Sequence, residues 1–119
     1  MTAVAQLRRL ADTINTRYRR GHLTISAAPV DLAGAAGVNL FDHAGPGRPR
    51  PLDTVWHVEA GQPLPSGTGR ARTAVFVWGP AYNWTAPTSD IPGAAAAVAR
   101  TAGCWPGQSR PPRRQAGSR

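Results

Sequence analysis

The sequence predicts an α+β fold in which a small antiparallel sheet is packed by one helix from each end of the chain. Three observations support this prediction: an apolar stripe at helical spacing near the N-terminus, two alternating apolar segments separated by a turn-rich stretch, and an alanine-rich segment with helix start and stop signals. With 119 residues in the chain, we expect a single domain over residues 1–103 and a disordered tail over 104–119.

Residues 2–20 are predicted to form an amphipathic helix. Thr2 is a suitable N-cap, and Gly21 lies where a left-handed residue often ends a helix. The apolar residues recur at spacings of three and four along one face: Val4, Leu7, Leu10, Ile14 and Tyr18. The next five residues, 22–26, alternate apolar and polar side chains and predict a short strand.

Two alternatives stay open for residues 27–45. In the first, Asp31 caps a short helical turn over 32–36, although Gly34 and Gly37 weaken any helix there. In the second, residues 38–41 form another strand. The periodicity of the segment does not decide between them.

Segments 52–60 and 72–78 predict an antiparallel hairpin, because each alternates β-branched or aromatic residues with others and a Gly- and Pro-rich turn joins them. We expect Trp56 to pack across the strands against Phe76 and Trp78, as cross-strand aromatic pairs form the core of small sheets. Gly79 and Pro80 are expected to end the second strand.

Residues 88–103 predict a short alanine-rich helix. Ser89 or Asp90 is a suitable cap, Pro92 lies near the first turn where its missing N–H costs nothing, and Gly103 is a stop signal. From Cys104 onward the chain is rich in proline, glycine and arginine, which is typical of disordered segments.

The aromatic residues that follow the second strand of the hairpin suggest a contact surface. Tyr82 and Trp84 lie beyond Gly79, outside the predicted strands, and either bind a partner together with Arg70 and Arg72 or pack as a lid on the N-terminal helix. The leading functional prediction is therefore a non-enzymatic binding or accessory domain that contacts a protein partner.

The charge supports a second functional hypothesis, a nucleic-acid-binding accessory protein. The formal net charge is +8, and every basic side chain other than histidine is arginine. Basic helices and tails gain affinity for polyanions by releasing counterions, without recognising sequence. No helix-turn-helix or RNA-binding fingerprint accompanies these arginines. The candidate polyanion-binding residues are Arg8, Arg9, Arg19, Arg20, Arg110, Arg113 and Arg114.

A third hypothesis is a small metal-dependent enzyme centred on His57 and Glu59, which share a predicted strand face with Asp53. His22, Asp42 and His43 are possible further ligands. One His-x-Glu pair lacks the spacing of a zinc signature, and the simpler interpretation is a polar strand face in water. We therefore predict no metal and no cofactor.

Nucleophilic catalysis has little support in the sequence. Ser26, Ser66 and Ser89 lack the glycine pattern of a nucleophile elbow, and Cys104 lies beside the predicted tail rather than in a held electropositive site. We accordingly predict no catalytic residue.

Two features predict a cytoplasmic protein that does not insert into membranes. Cys104 is the single cysteine, and the pair Arg8-Arg9 is not followed by the apolar segment of an export signal. The sequence also contains no apolar run of the length that a membrane span needs.

Overall fold

A computed structural model describes residues 2–18, 25–32, 35–43 and 45–102. Within them, two helices accompany a five-stranded antiparallel sheet whose strand order, β1-β2-β3-β4-β5, follows the chain. This arrangement confirms the predicted α+β fold. The elements are α1 (Ala3–Arg17), β1 (Ile25–Leu32), β2 (Ala35–Asp42), β3 (Arg50–Val58), β4 (Val75–Trp78), a 3-10 turn (Pro80–Tyr82), β5 (Trp84–Pro87) and α2 (Ile91–Thr101).

Both helices form where the sequence predicts them, with the expected N-caps. The Thr2 side chain accepts a hydrogen bond from the Ala5 N–H (3.1 Å), and that of Asp90 accepts one from the Gly93 N–H (3.0 Å). Helix α1 ends at Arg17, three residues before the predicted end. The predicted tail and the two glycine stop signals lie outside the described residues.

The segment that the sequence left open, 27–45, contains most of β1 and all of β2. Strand β2 pairs with β1 over eight residues, so of the two open alternatives the strand is correct and the helical turn is not, and β2 extends beyond the expected 38–41. Val38 and Leu40 alternate into the core at 0 and 1% exposure, which supplies the burial that decides between the alternatives. Strand β1 includes the last two residues of the predicted strand 22–26 and continues to Leu32, whereas residues 22–24 lie outside the description.

The outer edge of β1 is closed near its middle by a side chain of α1. The Asn15 amide donates to the Ala27 carbonyl (2.9 Å) and accepts from the Ala27 N–H (2.8 Å), as a neighbouring strand would. Two residues further along, Pro29 has no N–H to offer at this edge. The middle of β1 is therefore poorly suited to pair with another strand.

The predicted hairpin is present as β3 and β4, but its cross-strand pairs differ from the expected ones. Trp56 lies opposite Val77, and His57 lies opposite Phe76. Since partners in register point to the same face, Trp56 and Phe76 lie on opposite faces of the sheet. The expected packing of Trp56 on Phe76 and Trp78 is therefore wrong.

A fifth strand follows the hairpin where the sequence suggested none. Trp84 begins β5 and lies directly opposite Trp78. Gly79 permits this return, because its φ of 82° is unfavourable for other residues and a Cβ there would overlap the Trp84 ring.

The sheet buries apolar side chains on both faces. Both helices cover one face and contact each other, and together with the sheet they form the helix-face cluster: Leu7, Leu10, Ile14, Val38, Leu40, Val55, Phe76, Trp78 and Val98 among its buried members. The loop of residues 59–74 covers part of the other face. On that face lies the loop-face cluster, in which Leu64 and Tyr82 pack against four buried residues: Trp56, Val58, Ala71 and Val77.

Candidate functional site

The loop-face cluster is centred on Trp56. This side chain is 1% exposed, and its six-membered ring lies against Gly37 of the neighbouring strand, where a Cβ would come within 2.8 Å of Cε3. The indole nitrogen is on the opposite edge of the ring system. Within the described chain, this buried Nε1 has no hydrogen-bond partner. A buried donor without an acceptor is uncommon in folded proteins.

Tyr82 reaches this cluster from a turn with an unusual backbone. Ala81 and Tyr82 have φ values of 55° and 57°, in the left-handed region that residues with a Cβ rarely occupy. The buried Asp53 carboxylate holds the start of the turn by accepting from the Gly79 N–H (2.9 Å). The turn thus places a half-buried aromatic ring on the loop-face cluster at a conformational cost.

The loop of residues 59–74 places two predicted contact arginines beside the same cluster. Ala71 is 6% exposed and belongs to the cluster, and its backbone N–H and C=O both bond within the loop, to the Gln62 carbonyl (2.9 Å) and the Gly61 N–H (2.8 Å). Arg70 and Arg72 flank it and are exposed. Arg70 also donates to the Gly61 carbonyl (2.8 Å), which holds its guanidinium against the loop.

Trp84, the fourth predicted contact residue, packs elsewhere. It is half-buried against the helix-face cluster, opposite Trp78, whereas Tyr82 packs against the loop-face cluster. The predicted residues therefore do not share one cluster: Tyr82 packs against the loop-face cluster, to which Ala71 between Arg70 and Arg72 belongs, whereas Trp84 packs against the helix-face cluster. The lid interpretation suits Trp84, since α1 contributes to the cluster that it covers.

His57 is part of a hydrogen-bond chain that joins β3 and α1 to residues next to β5 and β4. Its Nε2 lies 2.8 Å from Gln6 Oε1 on α1, the Gln6 amide donates to Thr88 Oγ1 (3.1 Å), and that hydroxyl donates to the Ala74 carbonyl (3.2 Å). Because Gln6 uses its amino group on Thr88, its oxygen must accept, and His57 carries its proton on Nε2. Partial burial lowers the pKa of His57, and the negative charge of Glu59 opposes this effect.

Two other residues of the hypothetical metal site, Asp53 and Asp42, have partners elsewhere, and His22 lies outside the described residues. Asp53 binds the Gly79 N–H, and Asp42 forms an ion pair with Arg50 (3.2 Å). Asp42 is also far from His57. Trp56, the neighbour of His57 on β3, pairs with Gly37 on β2, and Gly37 is five residues from Asp42, about 17 Å along the strand. The described residues contain no group of three or more potential metal ligands. The expectation that this strand face lies in water is wrong for Asp53, which is 4% exposed beneath the helices.

His43 has a partner that sequence spacing alone did not suggest. Its Nε2 forms a short hydrogen bond with the Ser26 hydroxyl across the β1–β2 hairpin. The two residues are 17 apart in sequence, and only the strand register, which places Ser26 opposite Phe41, brings them together. The contact is exposed, so water competes for both groups.

Of the seven candidate polyanion-binding residues, the described chain contains Arg8 and Arg9. Both are exposed on α1. Arg8 also borders an apolar groove of about 170 Å³ between α1 and the β1–β2 hairpin, lined mainly by Val4, Leu7, Pro29, Val30 and Ala36. The remaining five lie outside the described residues: Arg19, Arg20, Arg110, Arg113 and Arg114.

No known protein family matches this chain, and comparison with curated proteins and with solved structures finds no significant similarity. In the described part of the chain, neither helix is long and apolar enough to cross a membrane. The site geometry is therefore the basis for a functional proposal.

Proposed function

We propose that this chain is a non-enzymatic binding or accessory domain that contacts a protein partner through the surface formed by Tyr82, Arg70 and Arg72. One observation carries the proposal. Ala71 is buried in the loop-face cluster, against which Tyr82 packs, and Arg70 and Arg72 flank Ala71 in the chain and are exposed. Tyrosine and arginine are enriched among the residues that dominate binding energy in protein interfaces.

The loop that carries the arginines is internally bonded, which favours this use. Leu64 donates to the Gly69 carbonyl (2.7 Å), and Ala71 exchanges backbone bonds with two residues at the start of the loop. A loop ordered before binding loses less conformational entropy when a partner arrives. The loop is thus suited to hold the backbone of Arg70 and Arg72 in place.

A different observation favours a second candidate, a nucleic-acid-binding accessory protein. Arg8 and Arg9 are adjacent and exposed on α1, which lies on the other side of the sheet from the loop. Polyanion binding of this kind needs only accessible cations and weakens steeply with salt. The two candidates therefore use different faces, and variants can separate them.

Affinity capture from a lysate of the source cells tests both candidates. We would immobilise the full chain and three variants: Arg72→Gln, the exposed control Arg100→Gln on α2, and the double variant R8Q/R9Q. The lysate would be used with and without nuclease. A captured protein identified by mass spectrometry would then be purified and its affinity measured.

For the leading candidate we expect capture that survives nuclease and an affinity that falls about tenfold in Arg72→Gln, the scale of a contributing interface arginine. Arg100→Gln and R8Q/R9Q should bind like the parent. Equal affinity in Arg72→Gln and Arg100→Gln would reject the proposed surface. Capture abolished by nuclease or by R8Q/R9Q would favour the second candidate.

A further inference from the structure

We propose that the Trp56 indole N–H is a binding donor for a main-chain carbonyl of an acidic peptide segment, which reaches it when the turn bearing Tyr82 moves aside. This inference rests on the proposed function and names the chemistry of the partner. It also identifies two elements that act together, a buried donor and a movable aromatic cover.

The two buried tryptophans differ in whether the indole N–H has a hydrogen-bond acceptor. Trp56 and Trp78 are equally buried, at 1 and 2% exposure. The Trp78 N–H donates to Thr101 Oγ1 at 2.8 Å, whereas that of Trp56 has no acceptor in the described chain. Since burial removes the donor from water without replacing the lost bond, an acceptor that arrives at Trp56 recovers free energy.

The residue that moves aside in this proposal is Tyr82, in the 3-10 turn. Tyr82 packs on the loop-face cluster that contains Trp56, and it does so from a turn in which two consecutive residues have positive φ. Each of these conformations is unfavourable for a residue with a Cβ. The left-handed backbone of the turn therefore lowers the free energy needed to move Tyr82 off the cluster.

The loop that contributes to the loop-face cluster has more basic than acidic side chains. The loop of residues 59–74 carries two arginines and one acidic residue, Glu59. Arg72 is exposed and has no ion pair among the described residues. An extended peptide offers a carbonyl at every residue and, when acidic, matches this excess of positive charge. A peptide with basic side chains would meet like charge.

Nuclear magnetic resonance of the ¹⁵N-labelled full chain tests the inference, since each tryptophan gives one indole N–H signal. Two probes separate the carbonyl from the charge: N-methylacetamide, a neutral peptide-group mimic, and acetylated, amidated tri-glutamate. The signal of Trp56 is assigned by its loss in Trp56→Phe or, if this variant does not fold, by contacts of the indole proton within the parent protein. Trp78, with its donor already engaged, is the internal control.

We expect both probes to shift the Trp56 signal downfield in a saturable way and to leave that of Trp78 in place. Arg72→Gln should weaken the peptide response about tenfold and leave the N-methylacetamide response unchanged. Ala81→Gly relieves strain in the covering turn, so it should weaken both responses about fivefold. The matched control Ala60→Gly, in the exposed turn after β3, should not.

Two results would overturn the inference. In the first, Trp56 and Trp78 respond alike to both probes. In the second, the Trp56 N–H shows contact with a bound water only and no response to either probe. Neither result would reject the proposed function if the affinity of a captured protein still depends on Arg72. If that affinity does not depend on Arg72, the proposed function is rejected, whatever the response of the Trp56 signal.

Discussion

The two faces of the sheet bury tryptophans to the same extent but treat their polar atoms differently. On the helix face, Trp78 donates to Thr101, a residue in the last turn of α2. On the loop face, Trp56 is as deeply buried and has no acceptor within the described residues. Burial alone therefore does not show whether the polar atom of a tryptophan is satisfied; the hydrogen-bond partners do.

The reason lies in what covers each face. The helices satisfy their own backbones and bring polar side chains such as Gln6 and Thr101 to the sheet. The loop of residues 59–74 uses its backbone groups on itself, as in the bonds between Ala71 and the start of the loop, and supplies Leu64 and Ala71 to the cluster. A helix-covered face is thus better suited to complete hydrogen bonding than this loop-covered one.

The largest expected effect comes from replacing each tryptophan by phenylalanine. Trp78→Phe removes a formed hydrogen bond, and Trp56→Phe removes an unpaired buried donor, while both lose a similar ring area. We expect Trp56→Phe to be less destabilising than Trp78→Phe by about 2–3 kcal/mol. Urea unfolding of both variants would measure this difference. Equal losses would mean that the Trp56 donor is satisfied in solution.

A second test removes a polar contact on the helix side. Asn15→Ala deletes both hydrogen bonds to Ala27, each worth about 1 kcal/mol, so we expect the free energy of unfolding to fall by about 2 kcal/mol. Thr16→Ala, an exposed neighbour on the same helix, should change it by less than about 0.5 kcal/mol. Chemical denaturation measures both. If the two variants were alike, the Asn15 amide would not stabilise the edge of β1.

The smallest expected effect is a pH dependence that comes from His57. Burial lowers its pKa in the folded state below 6.5, so the unfolded chain binds a proton that the folded chain resists. The His57 contribution to stability should therefore be complete above about pH 6.5 and decrease as the pH falls below it. Unfolding measured between pH 7.5 and 5 should show a steeper loss for the parent than for His57→Gln. Parallel curves would contradict the assignment.

The parts of the fold that local sequence signals define were predictable. Thr2 and Asp90 are capping residues at the start of apolar or alanine-rich helical segments, and both helices begin there. The hairpin was recognisable because its two segments alternate around a turn-rich loop. Strands β2 and β5 were harder to predict, since Gly37 lies within the first and the second is only four residues long and ends at Pro87.

The candidate site depended on register, which sequence alternation does not fix across a long loop. Trp56, Phe76 and Trp78 were expected on one face, but pairing Trp56 with Val77 moves it to the other, because a shift of one residue exchanges the faces of a strand. Tyr82 and Trp84 are separated because Tyr82 lies in the 3-10 turn, whereas Trp84 pairs with Trp78 in β5. The unpaired donor of Trp56 is a property of the assembled cluster and has no local signal in the sequence.

The Asn15 bonds at β1 have a consequence for how copies of this chain could assemble. A sheet grows indefinitely through edge pairing only when it accepts strands on both sides, one edge for the preceding copy and one for the next. With Ala27 already bonded to Asn15 and Pro29 lacking a donor, the β1 side interrupts such growth. Pairing on the β5 side alone would close after two copies, so this interruption at β1 opposes fibre formation.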